Sequence, residues 1–499
     1  MRTLACCLLL GGLAGPLRAQ DDPSLASYRA ARAVLDAALE AHGGRDRILG
    51  LRALTVRHEG TNAWRNQSPS ASGPVTETPT SGVLAVDLAG RRLFWESRSE
   101  YPGGFRNHAT QMIDGARSFG TNPIEGRWFA SPNARFENQL GLLRRVPQFV
   151  LVGALERATQ LRHAGRATID GRPHDLITYP STDGAQLLTL AVDASTHLLR
   201  SFDQLYTDVQ TGDAVARVEF LEYTMVDGLA LPQRRTITRA GATFEDVRLT
   251  DYAVNTLDST LFQRPEGLVD GTGGPEAPTE VRQLATGVYH VPGVAGGNSS
   301  LAVLQEEGWV VVEAYGSEQA SQRTLRLLDS LAPGRPVRYL VPTHHHDDHT
   351  GGVRTFMARG ATIVSTPGNR NWFETLAGAR YTLAPDEQER ARAPLRWRGI
   401  SGKRLVLGTG DTRVELHDIG PSPHAEEMVV AYLPAHRILV QGDLLNLPAD
   451  GRLRAGNLTS RHFLGWIDRS GLAIETIIPV HGPPHTVARL REAVALMDR

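Results

Sequence analysis

Four histidines and two aspartates stand in six consecutive positions, His344-His345-His346-Asp347-Asp348-His349. Imidazole and carboxylate are the donors that hold zinc and other divalent ions. In extended chain, alternate side chains point the same way. His344 and His346 would therefore share one side while His345 turns elsewhere, and Asp348 and His349 follow as a second pair. The run begins where the apolar stretch 337–341 ends, and ligands of α/β sheets gather beyond the carboxyl ends of strands. Three further donors each follow a separate β-prone run: His424 after residues 413–419, Asp443 after 437–440 and His481 after 476–478. A sheet whose strand ends meet at one rim would bring all of these side chains together. Asp347 and Thr350 are placed to support the ligands by hydrogen bonds; His345 reads as a supporting or structural residue, and His417, His436, His462 and His485 read as exposed or structural, with His462 and His485 weighed as substrate contacts.

Such a donor set favours zinc, with iron or manganese also compatible with the carboxylates. Two ions a few Å apart lower the pKa of a shared water from about 15.7 toward about 7, which makes hydroxide available as the nucleophile at neutral pH. Asp348 is the catalytic candidate, as the group that orients the nucleophile or takes up a proton. No side-chain nucleophile is needed.

The run from His344 to His349 resembles the HxHxDH signature of the metallo-β-lactamase superfamily, and His424, Asp443 and His481 match its later ligand positions in order. The resemblance spans residues 281–499 and includes Asn298-Ser299 and the acidic Glu313. It implies an αββα sandwich in which His344, His346 and His424 hold one metal, Asp348, His349 and His481 the second, and Asp443 bridges. A bridging Asp443 places the chain with the glyoxalase II-like or lactonase-like hydrolases of esters, thioesters, lactones and phosphodiesters, ahead of lactam hydrolysis. The superfamily also includes mononuclear iron dioxygenases, the competing redox reading. Its diiron flavoproteins carry Glu where this chain has His346.

The elements that must position these residues divide the 499-residue chain in two. Residues 1–19 read as a secretory leader, with Arg2, an apolar stretch and Ala19 before the cleavage point. Export to the periplasm or medium follows from that reading. Both cysteines, Cys6 and Cys7, fall inside the leader, so thiolate ligands, disulfides and a thiol nucleophile are excluded from the mature chain. Residues 24–263 open with an amphipathic helix and continue in short β-prone runs interrupted by a helical stretch, 140–161. This predicts a curved, mostly antiparallel sheet. The Pro- and Gly-rich segment 264–280 reads as a linker. Beyond it strands and helices alternate through 281–499, an α+β/α organisation.

A formal net charge of −1 gives no global field toward nucleic acid or anionic lipid, and no apolar run is long enough to cross a bilayer. A small-molecule substrate is the expected partner. The N-terminal region carries no catalytic constellation; its aromatic residues, Trp64, Phe94, Trp95, Phe105, Trp128, Phe129 and Tyr206 among them, read as core. Its lead helix and curved sheet are similar to the periplasmic lipoprotein-carrier fold, which implies a lipid or envelope ligand and, as a further alternative, a protein that chiefly binds.

Overall fold

The computed structural model describes residues 22–498 apart from 116, 125, 182–186, 273–279, 293–297 and 449–450. The segment that reads as a leader, with Cys6 and Cys7, lies outside the described residues.

The N-terminal region forms one continuous sheet, fourteen strands among the described residues. From the first strand, Ala53–Ala63, one meander runs outward through Glu77–Asp87, Arg92–Tyr101, Phe105–Asp114, Arg117–Asn122 and Arg127–Ala130. On its other side lies the last long strand, Ala242–Val254, and a second meander runs back through Leu229–Arg239 and Gly212–Val226 to Arg162–Ile169. All pairings between these strands are antiparallel. Val269–Asp270, inside the segment that reads as a linker, adds a short parallel edge strand beside Arg127–Ala130.

Two helices fill one face of this sheet. Pro23–Ala41 starts on an Asp22 cap with Pro at its first turn, and it buries Ala31, Leu35, Ala38 and Leu39, the 3–4 spacing of a single apolar stripe. Pro147–Glu156 adds Val150, Leu151 and Ala154. Both pack with Leu54, Val86, Leu190, Phe202 and Phe220 of the strands in one core. Each fully buried aliphatic side chain of this kind contributes about 1.5–3 kcal/mol of transfer free energy.

The C-terminal region holds a seven-stranded and a five-stranded sheet. Alternation within single strands shows how they stack. Val310 and Val312 point into a core shared with Val414, Leu416, Val429 and Val440 of the other sheet, while Val311 between them joins Leu328, Phe356, Trp372 and Phe373 of the helices outside. Leu439 likewise faces Phe463 and Leu490 of the helices Leu458–Ser470 and Val487–Ala495. Two sheets thus share an inner core, with helices on both outer faces. Val337–Val341 leads to His344, His346, Asp348 and His349, and Val414–Asp418, Ile438–Gln441 and Thr476–Pro479 lead to His424, Asp443 and His481 in turn.

Candidate metal centre

Immediately after Val337–Val341 the chain turns through Thr343–His346 into the one-turn helix Asp347–Thr350. Thr350 Oγ1 donates to the carbonyls of His345 and His346, both at 2.9 Å, and so ties the turn to its own preceding residues. Thr343 N–H donates to Glu313 at 2.9 Å, and Thr343 O accepts from Val429 N–H at 2.8 Å, linking the rim to the other sheet. The His424 loop is held by Ser422 Oγ, which accepts from the N–H groups of His424 and Ala425 at 3.2 and 3.1 Å. Gln441 braces the Asp443 turn by accepting from Leu444 N–H and donating to Leu445 O. Gly442 is required there: a Cβ would sit 2.4 Å from Thr343 Oγ1 and 3.2 Å from His344 Nδ1. His481 is fixed through Asn298 and Ser299, which pair with His481 and Val480.

All seven predicted residues converge. Two overlapping groups form, each with its ligand atoms within 4.8 Å of one another: His344, His346, His424 and Asp443, and Asp348, His349, Asp443 and His481. The Nε2 atoms of His344 and His424 face each other at 3.1 Å. His346 packs its ring 4.4 Å from that of His344, and its Nδ1 has no hydrogen-bond partner. Asp443 lies between the groups: Oδ2 is 3.4 Å from His349 Nε2 and 3.4 Å from His424 Nε2, and Oδ1 is 3.4 Å from His481 Nε2. Asp348 Oδ2 lies 3.2 Å from His481 Nε2 and 3.6 Å from His349 Nε2.

Supporting partners set which nitrogen each ring offers. Thr343 Oγ1 contacts His344 Nδ1 at 3.0 Å, leaving Nε2 for the centre. The wholly buried Glu313 accepts from His349 Nδ1 at 3.1 Å, again leaving Nε2. Glu313 adopts φ +82°, a region that costs a non-glycine residue roughly 1–3 kcal/mol and is characteristically held at functional sites.

The electrostatics match the donor chemistry. Burial, reinforced by the neighbouring imidazoles, pushes His344 and His346 well below the ordinary histidine value, so both are neutral with a lone pair to give. For His349 burial acts the same way, but the Asp348, Glu313 and Asp443 carboxylates outweigh it and raise the ring well above that value. For Asp443 burial favours the neutral form, yet His481 and His349 hold it well below the usual carboxylate range. The second group is therefore charge-balanced by protons on imidazoles, and a divalent ion would take their place, releasing them. Closely apposed imidazole nitrogens, an orphaned buried Nδ1 and a shared carboxylate fit two divalent cations.

Residues 292–481 match the family model described as the metallo-beta-lactamase superfamily. The match covers less than half of the chain, and over it the chain is similar to that superfamily. All seven ligand candidates lie within the matched residues. A curated relative, the 2,4-dinitroanisole O-demethylase subunit alpha of Nocardioides sp. (strain JS1661), is 28% identical over 144 residues, 29% of this chain. The chain spans 40% of that relative's length. Among solved structures, the metallo-beta-lactamase from Pontibacter korlensis matches 44% of this chain and 99% of its own at 19% identity and a TM-score of 0.34. The DIM-1 metallo-beta-lactamase exposed to ceftazidime matches 44% and 96% at 19% identity and 0.33.

A cavity of about 500 Å³ opens on the centre. Asp348, Asp443, His424, His481 and Asn446 form its C-terminal wall, and Trp64, Gln67, Tyr101, Phe105, Arg106 and Asn107 of the N-terminal region form the opposite one. Trp64 and Phe105 thus correct the reading of these aromatics as core: the sheet carries them to the end that faces the metal ligands, whereas Trp95 and Phe94 do pack inside. Asn446, which donates to Asp443 Oδ1 at 3.1 Å, was also missed; a lone Asn three residues after a ligand carries no distinctive signal. His345 is buried against Trp372, and His485 pairs its backbone with Ile477, so neither joins the cavity.

Proposed function

We propose that this protein is an exported two-zinc hydrolase of a small molecule, cleaving an ester, thioester, lactone or phosphodiester bond. The observation that carries it is Asp443, whose two oxygens reach imidazoles of both ligand groups at 3.4 Å, so that one carboxylate would serve both ions. When bound, such ions supply Lewis acidity and a water activated at neutral pH. The residues do the rest. His344, His346 and His424 would hold the first ion and Asp348, His349 and His481 the second, with Asp443 common to both groups. Glu313 and Thr343 keep the rings turned inward, so that the donors are in place before substrate arrives. Asp348, with 38% of its side chain exposed, is the most open carboxylate of the centre and borders the cavity. It is the group placed to take a proton from the attacking water and deliver it to the leaving group.

Metal analysis of the mature chain followed by a substrate panel tests this reading. The panel holds aryl and alkyl esters, thioesters, lactones, phosphodiesters and lactams, with an aryl methyl ether added because of the demethylase relative. Two zinc ions per chain with ester-type turnover are expected. One iron with oxygen uptake, or efficient lactam opening without esterase activity, would overturn it.

A further inference from the structure

We propose that the N-terminal domain completes the catalytic centre, with Gln67 and the Ser68 carbonyl holding two metal ligands in orientation and Tyr101 and Phe105 receiving an aromatic or apolar group of the substrate. The proposal rests on the hydrolase reading above and deepens it.

Two ligand side chains owe their orientation to the segment Trp64–Ser68. His346 Nε2 donates to Ser68 O at 3.0 Å across 278 residues of sequence. A ring that donates through Nε2 is left with its lone pair on Nδ1, the atom without a partner beside His344 and His424. The amide of Gln67 donates to Asp347 Oδ1 at 2.5 Å and to Asp348 Oδ1 at 2.9 Å. Both amide hydrogens are thereby used, and Asp348 is left with Oδ2 facing His481 and His349.

The segment is itself anchored. Arg65 pairs with Asp208 of the sheet at 2.9 Å, Ser68 Oγ accepts from Thr76 N–H at 3.1 Å, and Pro69 O accepts from Glu426 N–H of the His424 loop at 2.8 Å. Docking alone would need only surface contacts. Here the contacts end on ligand side-chain atoms, the arrangement that fixes tautomer and carboxylate geometry at metal centres.

The hairpin between Arg92–Tyr101 and Phe105–Asp114 supplies the second part. Its turn uses Gly103 at φ +86°, where a Cβ would lie 2.7 Å from Thr459 Oγ1 and 3.3 Å from Pro423 O; glycine lets the tip press against the His424 loop. Phe105 then meets the His424 ring edge-on at 5.3 Å, and Tyr101 lies tilted against Trp64 with the ring centres 5.8 Å apart. An aromatic wall opposite the metal ligands suits a planar or apolar substituent beside the scissile bond.

The test uses the full-length, cobalt-loaded chain. Gln67→Met keeps the volume and removes both donors, and Gln67→Ala serves as a second variant. The expected result is a weakening of one of the two ions by about 10- to 100-fold in chelator competition, a changed visible cobalt spectrum and a fall in kcat. For Tyr101→Ala and Phe105→Ala the ratio of kcat/KM for a phenyl ester to that for a methyl ester should fall about tenfold, with both ions bound as tightly as in the parent. Wild-type affinity and spectrum in the Gln67 variants would overturn the positioning role, and an unchanged ester ratio would overturn the aromatic wall. A parent chain that binds two ions but cleaves nothing in the panel would refute the hydrolase reading and the wall with it, while affinity and spectrum still decide the role of Gln67. A parent that binds no ion would overturn both.

Discussion

Glu313→Gln is the substitution whose consequence follows most directly from the geometry. Glu313 is wholly buried and accepts two hydrogen bonds, from Thr343 N–H at 2.9 Å and from His349 Nδ1 at 3.1 Å. Gln has nearly the same shape but only one acceptor oxygen. If that oxygen keeps Thr343, the amide NH₂ faces His349 Nδ1, which must surrender its proton and carry it on Nε2 instead. That nitrogen is the one aimed at Asp443 and Asp348, so the second ion loses a ligand or pays to turn the ring back. A hydrogen bond to a charged partner contributes about 1.5–3 kcal/mol, and 1.4 kcal/mol is about tenfold in affinity. The second ion should therefore bind about 10- to 100-fold more weakly, while the ion held by His344, His346 and His424 is little affected. Titration of the metal-free protein with zinc against a chromophoric chelator would separate the two steps. Two steps with parental constants would show that Glu313 does not govern His349.

Asp443→Ala removes the one carboxylate common to both ligand groups, and His346→Ala removes an Nδ1 donor from the first. Both should lose more activity than the roughly 10–100-fold typical of a lost supporting hydrogen bond, with the far-ultraviolet spectrum of the sheet-rich N-terminal region intact; parental turnover in both would sink the site assignment. Stability should decline as pH falls from about 6.5 to about 4. Burial lowers His42 and His58 to about 4, so the unfolded chain binds protons that the folded chain refuses, and each group destabilises by up to about 3 kcal/mol across that window. His42→Asn should flatten the dependence by about one proton in denaturant titrations at pH 7 and 4.5, and an unaltered slope would refute the attribution. Arg354, 3% exposed, grips Asp386 at 2.5 and 2.9 Å. Arg354→Met should cost about 3–5 kcal/mol by leaving that carboxylate uncompensated, part of it recovered by adding Asp386→Asn; a loss under 1 kcal/mol in chemical unfolding would contradict this.

The convergence of the seven ligand candidates was legible in sequence because its constraints are local. Imidazoles at alternate positions after an apolar strand face one way whatever the rest of the chain does, and His424, Asp443 and His481 each close a strand of their own. The lead helix, Pro23–Ala41, was legible from apolar spacing. Illegible were the residues whose role depends on distant chain. Gln67 and Ser68 lie about 280 positions from the groups they contact, in a stretch rich in Ser, Pro and Gly that reads only as a turn. Phe105 has the same residue type as the core aromatics, and only the fold of its hairpin decides which side it serves. Glu313 was noticed as an acid at a strand end, but its strained backbone and its grip on His349 are tertiary facts.

The two halves of the chain meet in more than one place, and the places differ in chemistry. Away from the centre, Asp213 accepts from the backbone N–H groups of Thr382 and Leu383 at 3.0 and 2.9 Å, Tyr381 donates to Val209 O at 2.6 Å, and Gly212 bridges Arg380. These bonds end on backbone or exposed groups and fix orientation without touching the ligands. The contacts from Gln67 and Ser68 end on Asp348 and His346 themselves. With two separate attachments, rotation about either is opposed by the other, so the aromatic wall and the metal ligands keep their spacing across the cavity. Loosening the Asp213 contact should then disturb substrate selection before it disturbs metal binding, because the hydrogen bonds at the centre can persist through a small tilt that already displaces the hairpin tip.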